Sequence, residues 1–231
     1  NGRKSMKILI LIGSSMLEPY DKFMQVQRET WAEEKHPNVD ILFYYAGDKT
    51  EWVKPNTLMV ECDNDYYMSH WRFKKALDIV WDMEWDILLR CHSSSYVNVP
   101  MLIDICKRVP LEHLYTGQVV GGSNLPMIEY RGVQVRQRCV SGACILMSRD
   151  VADIIRKEVD EKELIEDDVM IGRLLQTHGI QINELGLKRV DIDDEALTNY
   201  KPNYHYRFRS NDRDADIANM RKVHELQKER K

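Results

Sequence analysis

The run Glu166-Asp167-Asp168 places three carboxylates directly ahead of an apolar face formed by Val169, Ile171, Leu174 and Leu175. Acidic residues in a first helical turn offset the positive end of the helix dipole, so capping accounts for part of this run. Three in succession exceed what capping needs, and one of them held beside a pocket could serve as a general base. A second chemical segment is Tyr200-Lys201-Pro202-Asn203-Tyr204-His205-Tyr206-Arg207-Phe208-Arg209, in which basic and aromatic residues interleave. Such a segment can grip phosphates while stacking on a base; a surface strand with solvated arginines fits the same residues equally well. Single-stranded nucleic acid also suits them, but the rest of the chain is acidic. Three polar segments, Gly13-Ser14-Ser15, Gly47-Asp48 and His92-Ser93-Ser94, each follow a short apolar run. Ligands of open α/β sheets bind beyond the carboxyl ends of the strands, where these segments would lie, although plain turns would look the same. Cys91 and His92 are adjacent in such a run, so they point to opposite faces and do not form a two-ligand metal site.

The elements that position these residues follow from periodicity. Apolar, β-branched runs predict strands over 6–12, 40–45, 57–62, 86–91 and 139–148. Helical spacing predicts amphipathic helices over 21–35 and 71–81, with shorter ones over 101–109, 150–159 and 167–177. His178-Gly179 supplies a C-cap signal for the last of these. Residues 117–137 hold four glycines and Pro126 and read as a long loop containing a hairpin. A surface helix is expected over 212–231. The alternation of strands and helices predicts an α/β fold with helices on both faces of the sheet.

Composition narrows the class. The chain has 231 residues, 43% hydrophobic and 30% charged. Chains of this size bury about 70–75% of their unfolded surface, so neither disulfides nor a structural metal are needed for stability. The net charge of -4 argues against a general nucleic-acid binder. The longest apolar run near the start has seven residues, well short of the roughly 20 that span a membrane. Five widely spaced Cys, no C-x-x-C pair and no N-x-S/T sequon favour a reducing compartment. From Tyr200 onward nine Lys/Arg stand against five Asp/Glu. One domain over 1–231 is expected, with a basic and aromatic C-terminal extension from about residue 200.

Five segments occur in an order that resembles the β-1,3-galactosyltransferase/Fringe group, glycosyltransferase family 31. Gln27-Arg28-Glu29-Thr30-Trp31-Ala32 resembles its R-x-T-W-G segment, and Phe43–Gly47 the F-L-L-G strand after it. Asp86-Ile87-Leu88-Leu89-Arg90, followed by Ser95-Tyr96-Val97-Asn98-Val99, resembles D-x-x-x-K-x-D-D-D-S-Y-V-N. Ser141–Ser148 resembles S-G-x-G-Y-V-L-S, and Asp167-Asp168-Val169-Met170-Ile171-Gly172 resembles E-D-V-Y-V-G. Residues 65–75 match a further lysine-bearing segment loosely, with Lys74 or Lys75 in the lysine's place. The resemblance covers about residues 6–185. It implies a GT-A fold with a central mixed sheet, and inverting transfer of a sugar from a UDP-sugar, UDP-galactose being the first donor to test, to a glycan hydroxyl. Asp168 matches the aspartate of E-D-V and would be the general base.

The chain departs from this family where the family carries D-D-D: His92-Ser93-Ser94 stand there instead. Hard divalent cations want anionic oxygens, and serine hydroxyls are poor substitutes. Three readings follow. The first is an enzyme needing no cofactor beyond its UDP-sugar substrate, its diphosphate neutralised by cationic side chains. The second is an Mn²⁺ held by other ligands, such as His92 with Asp63 or Asp65. The third is a degenerate domain that binds a glycan or a partner without catalysis. Under the first, Gly13, Ser14, Arg28, Lys74, His92, Ser93, Ser94, His205, Arg207 and Arg209 are the nucleotide and diphosphate candidates. Asp167, Gly142 and the 120–137 loop would shape the acceptor side. The expected partners are a nucleotide-sugar and a glycan, with no nucleic acid and no membrane span. Cysteine usage and the absent sequons fit a cytoplasmic transferase of bacterial or viral origin better than a Golgi enzyme whose anchor has been removed.

Overall fold

The computed structural model describes residues 5–122 and 124–229. The chain opens with β1 (Ile8–Gly13), α1 (Tyr20–Glu29), β2 (Val39–Gly47), β3 (Glu51–Lys54) and β4 (Thr57–Glu61). A single 3₁₀ turn (Tyr66–Met68) leads into α2 (Ser69–Val80), then β5 (Ile87–His92), β6 (Ser95–Val97) and α3 (Val99–Cys106). Next come β7 (Tyr115–Val120), β8 (Ile128–Tyr130), β9 (Val133–Val135) and β10 (Cys139–Ser148). The last third holds α4 (Arg149–Glu158), α5 (Asp167–Thr177), β11 (Val190–Asp191), α6 (Asp194–Thr198), β12 (His205–Arg207) and α7 (Arg213–Lys228).

The central sheet has seven strands in the order β3-β4-β2-β1-β5-β10-β7. β4, β2, β1 and β5 are parallel, while β10 runs antiparallel to β5. The sheet is therefore mixed, flanked by helices, and of the GT-A-like type. β1 explains how it is held. Its side chains alternate between faces, and both faces are apolar, as a parallel strand covered on both sides requires. Ile8, Ile10 and Ile12 pack into a core with α1, α3 and α7, alongside Phe23, Leu102 and Met220. Leu9 and Leu11 enter a second core with α2, α4 and α5, alongside Phe73, Ile155 and Leu174.

A small second sheet, β11-β12-β6, binds the C-terminal segment back to the turn after β5. Tyr204, Tyr206 and Phe208 are buried in the first core. The tail segment is thus woven into the fold, not laid over it as a solvated strand. The expected strands and helices recur with ends shifted by a few residues, the helix from residue 21 being the most shortened. Of the helix expected over 212–231, residues 230–231 lie outside the described residues. Periodicity missed β3, β6, β7, β11, β12 and α6. Four of these six elements have two to four residues, too short for a period to register. β7 was hidden by Gly117, whose φ of 151° suits glycine and whose missing Cβ leaves room for the Cys144 carbonyl. Among the described residues no helix is long and apolar enough to cross a membrane.

Candidate functional site

A cleft of about 460 Å³ opens over the carboxyl ends of β1 and β5. These neighbours form the point where connections leave the sheet in opposite directions, and such a switch point is the usual ligand crevice of an open α/β sheet. Gly13, Ser14, His92, Ser93 and Ser94 line it, as do Ser141, Gly142, Asp167, Asp168, Arg207 and Arg209. Backbone bonds join the strand ends: Ser14 N–H donates to the Tyr44 carbonyl at 2.9 Å and Ser93 N–H to the Gly13 carbonyl at 3.0 Å.

Asp168 is placed by a break in β10. The register of β10 against β7 shifts between Val140 and Ile145, and the shift turns Ser141 and Gly142 toward the cleft. Gly142 N–H then donates to Asp168 Oδ2 at 2.9 Å. Asp168 Oδ1 accepts from the Val169 N–H at 2.9 Å in the first turn of α5. A first-turn backbone contact and a place in the cleft lining therefore coexist in one carboxylate. A Cβ on Gly142 would lie 3.0 Å from Asp167 Oδ1 and 3.3 Å from Asp168 Cβ, so the close approach calls for glycine.

Asp167 plays a different structural part from its neighbour. Its Oδ2 is ion-paired to Arg90 Nη2, with side chains 8% and 1% exposed, and accepts from Ser69 Oγ at 2.9 Å. Burial alone would raise the Asp167 carboxyl; Arg90, then His92 and Ser69, hold it below the ordinary carboxylate range instead. Arg90 also donates to the Gly142 carbonyl at 2.8 Å. The pair thus braces both sides of the Gly142–Asp168 contact. His92 Nε2 lies 3.9 Å from Asp167 Oδ2. Burial, then the Arg90 charge, push the imidazole's pKa well below its usual value.

Arginines from the C-terminal part of the chain also line the cleft. Arg189 donates to Ser141 Oγ at 2.8 Å and pairs with Asp191 at 2.9 Å. Arg209 pairs with the same Asp191 at 3.0 Å. Arg207 stands opposite Ser95 in the β12–β6 pairing, one residue beyond His92-Ser93-Ser94. From α2, Arg72 reaches the carbonyls of Ser14 at 3.4 Å and Asp65 at 3.2 Å, which pins the 63–68 segment to the cleft rim. Tyr66 on that segment lines the cleft and is 66% exposed. Its phenol is pushed up by partial burial and then by Asp167, Glu166 and Asp168.

Three expected nucleotide contacts do not line this cleft. Arg28 stacks 4.1 Å over Phe43 and bonds Glu33 and Asn56, both at 3.0 Å, in a separate groove near β2. Lys74 lies over Trp71 and bonds Asp78, because a two-residue offset from Arg72, roughly 200° around α2, turns it away from the face carrying that arginine. His205 is fully buried and meets Ser95 Oγ at 3.0 Å. The described residues of the 120–137 loop include the β8–β9 hairpin, which packs against α5, and none of them lines the cleft. Sequence reasoning missed Arg72, Arg189 and Tyr66. Only Tyr66 left a signal, as one of two adjacent tyrosines before a helix.

The donor set beside β5 does not suit a hard divalent cation. It offers an imidazole and two hydroxyls, and the nearest carboxylate, Asp167, is already committed to Arg90. Among the described residues no three His, Cys, Asp or Glu side chains converge as a metal-holding group. Asp65 has one carboxylate oxygen bonded to the Tyr67 N–H at 2.7 Å.

No family model matches the sequence, and no curated protein matches it. Among solved structures, the chain is similar in fold to a glycosyltransferase involved in the glycosylation of the major capsid of PBCV-1. The TM-score is 0.50 at 15% identity, over 93% of this chain and 99% of that one. At that identity the likeness establishes the fold alone.

Proposed function

We propose that this chain is an inverting glycosyltransferase of the GT-A type, moving a sugar from a UDP-sugar to a glycan hydroxyl. The single observation that carries the reading is one cleft, at the sheet's carboxyl edge, lined by both the Asp168 carboxylate and an arginine cluster. The ordered motifs that resemble the β-1,3-galactosyltransferase/Fringe group support the same class, as does the fold likeness to a glycosyltransferase.

In this reading the acceptor hydroxyl attacks the anomeric carbon from the face opposite the diphosphate. Asp168 takes the hydroxyl proton as the new C–O bond forms, while the bond to the diphosphate oxygen breaks and UDP leaves. Gly142 N–H, with Arg90 behind it, fixes the carboxylate's direction. Asp167 is a positioning residue, because its charge is spent on Arg90. Tyr66 presents an aromatic surface at the rim beside the Glu166–Asp168 run, which suits the apolar face of an acceptor sugar.

The test is UDP release from a panel of UDP-sugars, with and without glycan acceptors. Asp168→Asn is expected to cut turnover at least about a hundredfold with little change in UDP affinity. Near-normal turnover in that variant would remove Asp168 from the reaction.

A further inference from the structure

We infer that Arg207, flanked by Arg189 and Arg209, is a built site for the diphosphate of a nucleotide ligand beside the His92-Ser93-Ser94 turn. The inference takes the ligand's identity from the glycosyl-transfer reading, whereas the anion site itself rests on geometry.

β12 lies antiparallel to β6, with Arg207 opposite Ser95 and the Phe208 N–H bonded to the Ser94 carbonyl at 3.0 Å. That pairing carries the guanidinium to the His92-Ser93-Ser94 turn and makes it part of the cleft lining. Two of its donors, Nε and Nη1, are closed off from solvent and meet no acceptor. Buried donors are nearly always satisfied, so an unpartnered pair in a cleft is a place that a ligand completes.

Among the described residues, the carboxylates beside the arginines are already paired. Asp191 is shared between Arg189 and Arg209, and Asp216 is bonded by Arg213 at 3.0 Å. Two guanidinium groups therefore share one carboxylate while Arg207 pairs with neither acid, leaving an excess of positive charge. Burial and then the repulsion of Arg189 and Arg209 lower the Arg207 pKa to about 10, so it stays charged near neutral pH. The ligand that relieves this arrangement is an anion with several acceptor oxygens, and under the glycosyl-transfer reading that anion is the diphosphate of the nucleotide. Guanidinium forks match phosphate oxygens in pairs, which a lone hydroxyl would not exploit. An arginine that neutralises the leaving diphosphate also supplies the electrostatic stabilisation this reaction class needs.

The experiment is calorimetric titration of the full chain with UDP and, separately, with inorganic pyrophosphate, in EDTA and again with Mn²⁺. Both ligands are expected to bind in EDTA, and Arg207→Gln is expected to weaken each at least about tenfold. Melting curves establish that the variant is folded. Should Arg207→Gln fail to fold, Arg207→Lys keeps the charge, loses the paired geometry and is expected to weaken both ligands several-fold. Equal UDP affinity in the wild type and the folded Arg207 variant overturns the inference but leaves glycosyl transfer standing. Binding of UDP and pyrophosphate only with Mn²⁺ overturns it as well. Arg207-dependent pyrophosphate binding with no response to UDP or UDP-sugars keeps the anion site and removes the nucleotide-sugar reading. No binding of either ligand removes both.

Discussion

The Arg90–Asp167 pair offers a sharp physical test, because it joins the central strand β5 to the first turn of α5 with almost no solvent contact. Arg90 is 1% and Asp167 8% exposed at the side chain. An exposed pair would contribute about 0–1 kcal/mol. Removing one member of a buried pair leaves the other charge uncompensated and costs about 3–5 kcal/mol. Arg90→Met and Asp167→Asn are each expected to lose that much. For a chain of this length about 2–4 °C of Tm follows each kcal/mol, so each variant should melt about 6–20 °C lower. The double variant buries neither charge, and should fall short of the summed losses by about 2–3 kcal/mol. Urea denaturation of the four proteins measures this coupling directly. The pH dependence has a fixed sign. A carboxyl held below its unfolded value contributes stability above about pH 4 and loses it as pH falls further. Asp167→Asn should accordingly flatten the acid limb of the stability curve. A single-variant loss below about 1 kcal/mol, or losses that simply add, would refute the view that this pair is buried and mutually dependent.

Other expectations concern the cleft and its supports. Gly142→Ala places a methyl 3.0 Å from Asp167 Oδ1 and 3.1 Å from Arg90 Nη1. Turnover should fall by about a hundredfold through displacement of Asp168, with a smaller stability loss of about 1–3 kcal/mol, read from kinetics and melting together. Tyr66→Ala should raise the acceptor KM while sparing the donor KM, and should change stability by less than about 0.5 kcal/mol because the ring is exposed. An unchanged acceptor KM would move the acceptor elsewhere. His205 is buried, and its pKa is pushed down to about 3 by burial and then by Arg207 and Arg189. The unfolded chain takes up that proton near pH 6.5 and the folded chain does not, so stability falls as pH drops below 6.5. His205→Gln should reduce that slope by about 1.4 kcal/mol per pH unit between pH 6 and 5, measured by urea midpoints.

What local sequence carried was periodicity and order. β1, β5 and β10 are apolar enough on both faces to declare buried strands, and α2 and α5 show their helical spacing plainly. The polar ends Gly13-Ser14, His92-Ser93-Ser94 and Gly142 were legible as cleft candidates because a parallel strand delivers its next residues to a common edge. Direction along that edge was not legible. Arg28 and Lys74 have the right chemistry, yet their helical positions turn them onto Phe43 and Trp71, outside the cleft.

The tail shows the same division. Its sequence declared alternating aromatic and basic residues, and therefore two faces. Only pairing with β6 decided that Tyr206 enters the core, that His205 is sealed against Ser95, and that Arg207 reaches the cleft. Likewise, Glu166-Asp167-Asp168 announced a carboxylate cluster, but which carboxylate would stay available depended on Arg90, 77 residues away in the chain. Composition and spacing act over one strand or one turn, so they determined which residues share a face. The assignment of Asp167 to an ion pair and Asp168 to the cleft depends on contacts between distant segments, which exist only once β5, β10 and α5 have packed together.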